Sequence, residues 1–381
     1  MKFVVLGGTS GLGLCLSMIL LERGHSVTIL GRTDPRIDGA EFVRFNLLSD
    51  DVRQVARLAE EADGLILTAG AGRAAAFEDL QDWEVQNAFR LNAEGAAKVL
   101  HAVYGRIRGE RDFYCAALSS VAGLLASPLM AVYGAAKAAS EKLVESINAE
   151  LREAGKNNRV LNVCPGFFSG TRFDGGENQL EKVRPMAEEL LERMFRRETF
   201  WIPRYEEVYR GVLERYHADP EAFALDSCRY KREGGRLSKG NHGRVGFLSG
   251  TFDLFHIGHL NLLRRAKQYC DYLVVGVHPE TSKHKNKPVF IPLEERMEIV
   301  GACRYVDKVV VTLDEDDDMH KQIPYDLLFV GSDYKGTERF RRYEENLTPL
   351  GVRIIYFPYT QGTSSTQLRE AIERNVGKKE S

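Results

Sequence analysis

Gly250-Thr251-Phe252-Asp253-Leu254-Phe255-His256-Ile257-Gly258-His259 follows a β-rich run, Arg244 to Ser249, and opens into Leu260–Gln268, whose apolar residues recur at helical spacing. The stretch is therefore a strand-to-helix turn flanked by glycines. Its two histidines are three positions apart and can both face a ligand at the helix N-terminus. That end carries unpaired N–H groups and the positive pole of the helix dipole, which suits a polyphosphate. The imidazoles would steady charge building up on a phosphorus and its leaving group. No cysteine or third histidine lies close enough to complete a local zinc motif.

Further blocks follow in order: Ala266-Lys267, Asp271 to Val277, Glu295-Arg296, Arg304 to Asp307, Gly331-Ser332-Asp333-Tyr334 and Gly362 to Thr366. With the histidine stretch they resemble the HxGH nucleotidylyltransferases, specifically the small cytidylyltransferases of the glycerol-3-phosphate type, from Arg244 to about Arg374. The resemblance implies attack by a substrate phosphate on the α-phosphorus of CTP, with pyrophosphate leaving and Mg2+ accompanying the nucleotide. It implies catalytic roles for His256, His259 and Lys285, the last in the basic loop 281–287 with Lys283 and Lys287 beside it. CTP would be held by Gly250, Thr251, Phe252, His256, His259, Lys285, Arg296, Asp333, Thr363, Ser364 and Ser365. Asp333 would accept from the cytosine amino group, and the Thr363–Ser365 element opens the last helix as a second phosphate-ready N-terminus. Tyr359 stands where the family has an arginine. The acidic run Asp314–Asp318 reads as a solvated loop, and no protein metal site is expected.

A chain of 381 residues suggests two domains, each with its own core. With 52 basic and 54 acidic residues, charge gives no reason to expect nucleic-acid or membrane binding. The six cysteines form no CxxC pair and read as free thiols of a reducing compartment. The start, Met1-Lys2 and then a strand, resembles no leader, and no apolar run reaches membrane-spanning length, so a cytoplasmic protein is expected.

The N-terminal part alternates apolar strands with amphipathic helices, the pattern of a parallel, doubly wound sheet. Strand Phe3–Leu6 runs into Gly7-Gly8-Thr9-Ser10-Gly11-Leu12-Gly13 and a helix, a turn whose glycines let the backbone approach a pyrophosphate. The next strand ends in Gly31-Arg32, where an arginine rather than an acid favours the 2′-phosphate of NADPH over NADH. Tyr133 and Lys137 lie four apart on one helix face, Ser120 ends the strand before them, and Pro165-Gly166 follows strand Val160–Val163. A lysine one turn from a tyrosine lowers its pKa toward acid–base use.

Together these features resemble the short-chain dehydrogenases/reductases over residues 1–215. The resemblance implies a tetrad of Asn92 (water relay), Ser120 (substrate orientation), Tyr133 (proton donor) and Lys137 (tyrosine activation, ribose binding). It also implies cofactor contacts from Gly7, Ser10, Gly11, Leu12, Gly13, Arg32, Ala69, Gly70, Tyr133, Lys137, Pro165 and Gly166. Leu6 and Leu67-Thr68-Ala69-Gly70 depart from the family's usual threonine and paired asparagines. Arg172, Lys182 and Arg184 could meet a substrate phosphate, or form a solvated helix face.

Tyr205–Tyr216 reads as the last helix of this domain, and 217–243 loses periodicity and collects glycines. The expected organisation is a dehydrogenase-like domain over 1–233, a linker over 234–243 and a cytidylyltransferase-like domain over 244–381: two Rossmann-like doubly wound parallel-sheet α/β domains in tandem. Two catalytic sets on one chain imply consecutive steps, reduction of a ketose phosphate and then formation of a CDP-alditol for surface polymers. Ribulose 5-phosphate to CDP-ribitol is the favoured pair and dihydroxyacetone phosphate to CDP-glycerol the runner-up. The rivals are a cytidylyltransferase with a non-catalytic, NADPH-binding or dimerising N-terminal module, and an adenylyltransferase. The small residues Ala135, Ala136, Ala138 and Ala139 on the tyrosine helix suggest a homo-oligomer.

Overall fold

A computed structural model describes residues 1–171, 178–234, 237, 243–279, 289–358 and 368. It divides into two compact units, Met1–His242 and Gly243–Ser381. The first holds seven strands: β1 (Lys2–Leu6), β2 (Ser26–Gly31), β3 (Ala40–Arg44), β4 (Gly64–Leu67), β5 (Tyr114–Leu118), β6 (Arg159–Val163) and β7 (Phe200–Trp201). They lie in the order β3-β2-β1-β4-β5-β6-β7, every neighbouring pair parallel. The central strands are mostly apolar because both faces of the sheet are covered. From β1, Phe3 and Val5 enter one core with helices Gly11–Glu22 and Leu180–Phe195. Val4 and Leu6 enter the opposite core with Arg53–Glu60, Gly95–Ala102 and Ala131–Glu153. Strand order reverses between β1 and β4, the switch point at which such sheets open a crevice beyond their carboxyl ends.

The second unit repeats the plan on five strands: β8 (Val245–Gly250), β9 (Tyr272–Val277), β10 (Lys308–Val311), β11 (Leu327–Gly331) and β12 (Arg353–Phe357). The order is β10-β9-β8-β11-β12, again all parallel, with the switch point between β8 and β11. Leu248, Leu263, Leu273, Val275 and Phe329 are among its core residues. The two tandem parallel-sheet α/β domains are thus those expected.

One segment differs from expectation. Residues 220–233 form a helix, Pro220–Glu233, rather than aperiodic chain. Asp219 caps it, its carboxylate accepting from the Ala222 amide at 2.9 Å, and Pro220 occupies the first turn. Both are helix-start signals that outweigh a weak apolar period. Among the described residues no helix is long and apolar enough to cross a membrane.

Candidate active sites

In the first unit, β1 breaks at Gly7 with φ +93°, and a Cβ there would come within 2.5 Å of the Ala69 nitrogen. The glycine turn after β1 and the loop after β4 therefore touch backbone to backbone, which only glycine permits. Ser10 is the N-cap residue of helix Gly11–Glu22 but makes no side-chain cap bond; the Gly11 amide instead donates to Asn178 Oδ1 at 2.9 Å. Leu12 and Gly13 are buried, and the Leu12 side chain packs in the core. Arg32 leaves the end of β2. Arg44, paired with Gly31 across β2–β3, donates through Nη1 to the Arg32 carbonyl at 2.5 Å, so two arginines share this corner.

Asn92 lies in a single π-turn, Arg90–Glu94, the widening of a helix that recurs at functional sites. Its side-chain amide donates to the carbonyls of Ala71 at 2.8 Å and Ala88 at 2.9 Å, its Oδ1 accepts from the Ala71 amide at 3.3 Å, and its backbone carbonyl accepts from the Ser140 hydroxyl. Ser120 donates to the Pro165 carbonyl at 3.2 Å, accepts from the Ala122 amide at 3.1 Å and is hydrogen-bonded to Tyr133. Lys137 is 3% exposed, donates to the Leu118 carbonyl at 2.7 Å and lies 5.8 Å from the centre of the Tyr133 ring. Gly70 faces Asn92 and Lys137 together: a Cβ there would lie 2.9 Å from Asn92 Oδ1 and 3.2 Å from Lys137 Nζ. Gly166 lies against the Tyr209 hydroxyl. The four tetrad positions thus gather at one end of the sheet with Gly70 and Pro165.

The electrostatics correct one expectation. Burial pushes the Tyr133 phenol up to about 12, drawn back by its Ser120 bond, and burial brings Lys137 down to about 8. Lys137 does not depress the phenol here, because desolvation outweighs a cation that is itself buried and turned to a carbonyl.

In the second unit, β8 delivers the histidine turn. His256 is the N-cap of helix Ile257–Lys267; its Nδ1 accepts from the Gly258 amide at 3.0 Å, and its own amide donates to His259 Nδ1 at 3.4 Å. The rings stack with centres 4.0 Å apart. With both Nδ1 atoms accepting, the neutral rings carry their protons on Nε2. Burial lowers the His256 pKa below its ordinary 6.5. Phe252 (φ +53°) and Leu254 (φ +50°) bend the turn through the left-handed region, and Asp253, 2% exposed, ties it by accepting from the amides of Phe290 at 3.2 Å and Ile291 at 3.1 Å. Asp333 is exposed just beyond β11, across the switch point from Gly250 and Thr251. Lys285, Thr363, Ser364 and Ser365 lie outside the described residues, as do Lys283, Lys287, Tyr359 and Arg172.

The family described as cytidylyltransferase-like matches residues 247–371, and short chain dehydrogenase matches residues 2–182. Glycerol-3-phosphate cytidylyltransferase of Bacillus subtilis is 35% identical over 126 residues, 32% of this chain and 92% of that protein. The chain belongs to the cytidylyltransferase-like family. Its N-terminal unit is a short-chain dehydrogenase domain. The cytidylyltransferase-like unit is also 33% identical over 134 residues to the FAD synthase of Archaeoglobus fulgidus, covering 34% of this chain and 96% of that one. Among solved structures, a short-chain dehydrogenase from Streptomyces avermitilis is 21% identical with a TM-score of 0.48, covering 61% of this chain and 99% of that one. Another from Burkholderia cenocepacia, solved in complex with NADP, is 24% identical with a TM-score of 0.49, covering 59% and 96%.

Two expectations for the cytidylyltransferase-like unit need correction. Arg296 is fully buried, and its guanidinium donates to the carbonyls of Ile291 (2.8 Å), Thr251 (2.6 Å) and His278 (2.8 Å). It therefore clamps the turn rather than presenting a free edge to a nucleotide. Nor is the acidic run a solvated loop. Asp316 is 5% exposed; its amide donates to the Tyr343 hydroxyl at 3.0 Å and its carbonyl accepts from Tyr325 at 2.7 Å. Burial raises its carboxyl pKa. Residues missed in the sequence include His278, whose Nδ1 lies 2.8 Å from Thr312 Oγ1 beneath the turn, and Asp253, legible only as part of the Gly-Thr-Phe-Asp block. Among the described residues no group of three His, Cys, Asp or Glu could hold a metal ion.

Proposed function

We propose that the chain is a bifunctional enzyme of the cytoplasm: the dehydrogenase domain reduces a ketose phosphate with NADPH, and the cytidylyltransferase-like unit joins the resulting polyol phosphate to CTP. Ribulose 5-phosphate to CDP-ribitol is the favoured pair, and dihydroxyacetone phosphate to CDP-glycerol the runner-up. The observation that supports the reading is the presence of both sets of reacting groups on one chain, the first at the carboxyl end of its sheet beside β5 and β6, and the two histidines of the second at the start of the helix after β8.

The residues fit NADPH. Backbone-to-backbone contact at Gly7 leaves a bare turn for a pyrophosphate, and Arg32 at the end of β2, with Arg44 bonded to its carbonyl, would meet a 2′-phosphate. When bound, the cofactor supplies hydride. Tyr133, with its phenol at about 12, stays protonated at neutral pH and can give its proton to the carbonyl oxygen. Ser120 would orient that oxygen and Lys137, held on the Leu118 carbonyl, would hold the ribose, while Asn92 braces the helix turn and the loop after β4.

In the second unit the polyol phosphate oxygen attacks the α-phosphorus of CTP, the bond to the bridging oxygen breaks, and pyrophosphate leaves, with Mg2+ as counter-ion of the nucleotide. The Nε2 protons of His256 and His259 are directed to that phosphate by the amide bonds to their Nδ1 atoms. Lys285, Thr363, Ser364 and Ser365 would complete the phosphate contacts. Asp333, across the switch point, would accept from the cytosine amino group. Exposed Ala135 and Ala139 on the tyrosine helix support a homo-oligomer through that face. The likeness to FAD synthase keeps ATP as the competing nucleotide. A screen of sugar phosphates with NADPH and CTP, against NADH and ATP, tests the reading: NADPH loss and pyrophosphate release should depend on the same ketose phosphate. Pyrophosphate release without NADPH loss would favour a non-catalytic first domain.

A further inference from the structure

We propose that Arg73 forms a phosphate-binding subsite in the substrate pocket of the dehydrogenase domain; this rests on the reading of that domain as a ketose-phosphate reductase. After β4 the chain passes Gly70 and Gly72 on its way to Arg73. Gly72 packs on the tetrad, since a Cβ there would lie 2.6 Å from Tyr133 Cδ2. Arg73, Phe77, Glu84, Leu129, Met130 and Tyr133 line one hollow that opens to solvent. One wall thus carries the proposed proton donor, and the other carries the hollow's one cation among the described residues.

The state of that cation points to an anionic ligand. Arg73 Nη1 donates to both oxygens of Glu84, at 2.9 and 3.0 Å, and the Gln81 amide donates to the same carboxylate at 3.0 Å. Glu84 therefore fixes the guanidinium from one side. Arg73 Nε is buried and has no hydrogen-bond partner among the described residues. A buried guanidinium N–H left unmet is unfavourable, and the Nε edge is the fork that a phosphate matches with two parallel bonds. A ketose phosphate in this hollow, its carbonyl toward Tyr133, would have Arg73 as the cation of the same lining, with the guanidinium shifting to open its Nε edge. Arg184 does not offer the same service, because Glu22 and Glu188 engage it on the outer surface.

The test compares full-length wild type with Arg73→Met and with Arg73→Met/Glu84→Leu, which removes both partly buried charges. The readout is NADPH-dependent reduction of ribulose 5-phosphate, dihydroxyacetone phosphate and their unphosphorylated ketoses. Loss of a charge-assisted fork should raise KM for the phosphorylated substrate on the order of 10- to 100-fold. The expected pattern leaves kcat and KM for NADPH nearly unchanged, Arg73→Lys partly restored, and the double variant folded with a near-native melting temperature. An unchanged KM in the folded double variant would overturn the subsite and leave the reductase reading standing. Preference of the wild type for unphosphorylated ketoses would overturn the subsite and the ketose-phosphate assignment together. If the wild type reduces none of these, titration calorimetry with inorganic phosphate decides: one site lost in Arg73→Met upholds the subsite, and identical isotherms overturn it.

Discussion

Tyr133 and Lys137 stand in the first two turns of a 23-residue helix, and His256 and His259 at the N-cap and first turn of an 11-residue one. In the first case packing does the tuning. The helix buries Lys137 against the Leu118 carbonyl, and desolvation moves both pKa values, the phenol up and the amine down. In the second case backbone amides do it, by taking both Nδ1 lone pairs and so choosing the tautomer. The helix-borne pair depends on little but its own packing. The turn-borne pair depends on a bent loop, with two non-glycine residues at positive φ that each cost on the order of 1–3 kcal/mol. Asp253 and Arg296 hold that loop from behind.

The largest effect should come from the helix-borne pair. Tyr133→Phe removes the proposed proton donor, and general acid catalysis contributes about 10²- to 10⁴-fold. Reduction should fall by that factor while cytidylyl transfer to a supplied polyol phosphate is unaffected. Substantial NADPH oxidation by the variant would sink the role. Next comes His259→Ala, which withdraws one preorganised donor, worth on the order of 10²- to 10³-fold in turnover. CTP binding should change far less and the reductase not at all. Near-normal turnover in both His256→Ala and His259→Ala, in folded protein, would remove the assignment.

These contrasts explain what the sequence disclosed. Glycine turns, Tyr133 with Lys137, and the paired histidines are local patterns, and local patterns place residues on strand ends and helix starts. Both doubly wound sheets follow from them. What each group experiences there is set by distant chain. Arg296 is drawn onto the Thr251 carbonyl, 45 positions away, and Asp316 is enclosed by Tyr325 and Tyr343. No spacing rule shows either. The sign of the Tyr133 shift was hidden for the same reason, since burial belongs to the packed helix rather than to the motif. The helix Pro220–Glu233 is a different case. Its Asp219 cap and Pro220 were readable, but surrounding polar residues masked them.

Cofactor choice tests the first unit at a corner where two side chains share the work. Arg32→Asp should shift preference from NADPH toward NADH by about 10- to 100-fold, the worth of one charge-assisted hydrogen-bond set. Because Arg44 lies at the same corner, some NADPH use should survive, and Arg32→Asp/Arg44→Ala should lower it further. A wild type that prefers NADH would break this part of the comparison.

The smallest effect is the one that both units share with opposite sign. Lys137 has its pKa lowered from 10.5 to about 8, so its ammonium is present below that pH and lost as pH rises through it. Tyr133, at about 12, remains protonated over the same range. Reduction should therefore be level near neutrality and fall about tenfold per unit above pH 8. His256, held below its ordinary 6.5, is neutral at neutral pH; protonation puts a hydrogen on Nδ1 and breaks the bond from the Gly258 amide. Cytidylyl transfer should accordingly fall as pH drops below about 6.5, the ordinary histidine value. Measured on one preparation, the two activities should have limbs facing opposite ways, with a shared plateau between. If reduction kept its rate through pH 9 with NADPH saturating, the ammonium would not be required and burial would not be what sets the first site. If cytidylyl transfer instead rose on acidification, the histidines would act as cations, and the amide-chosen tautomer would have no part in the second.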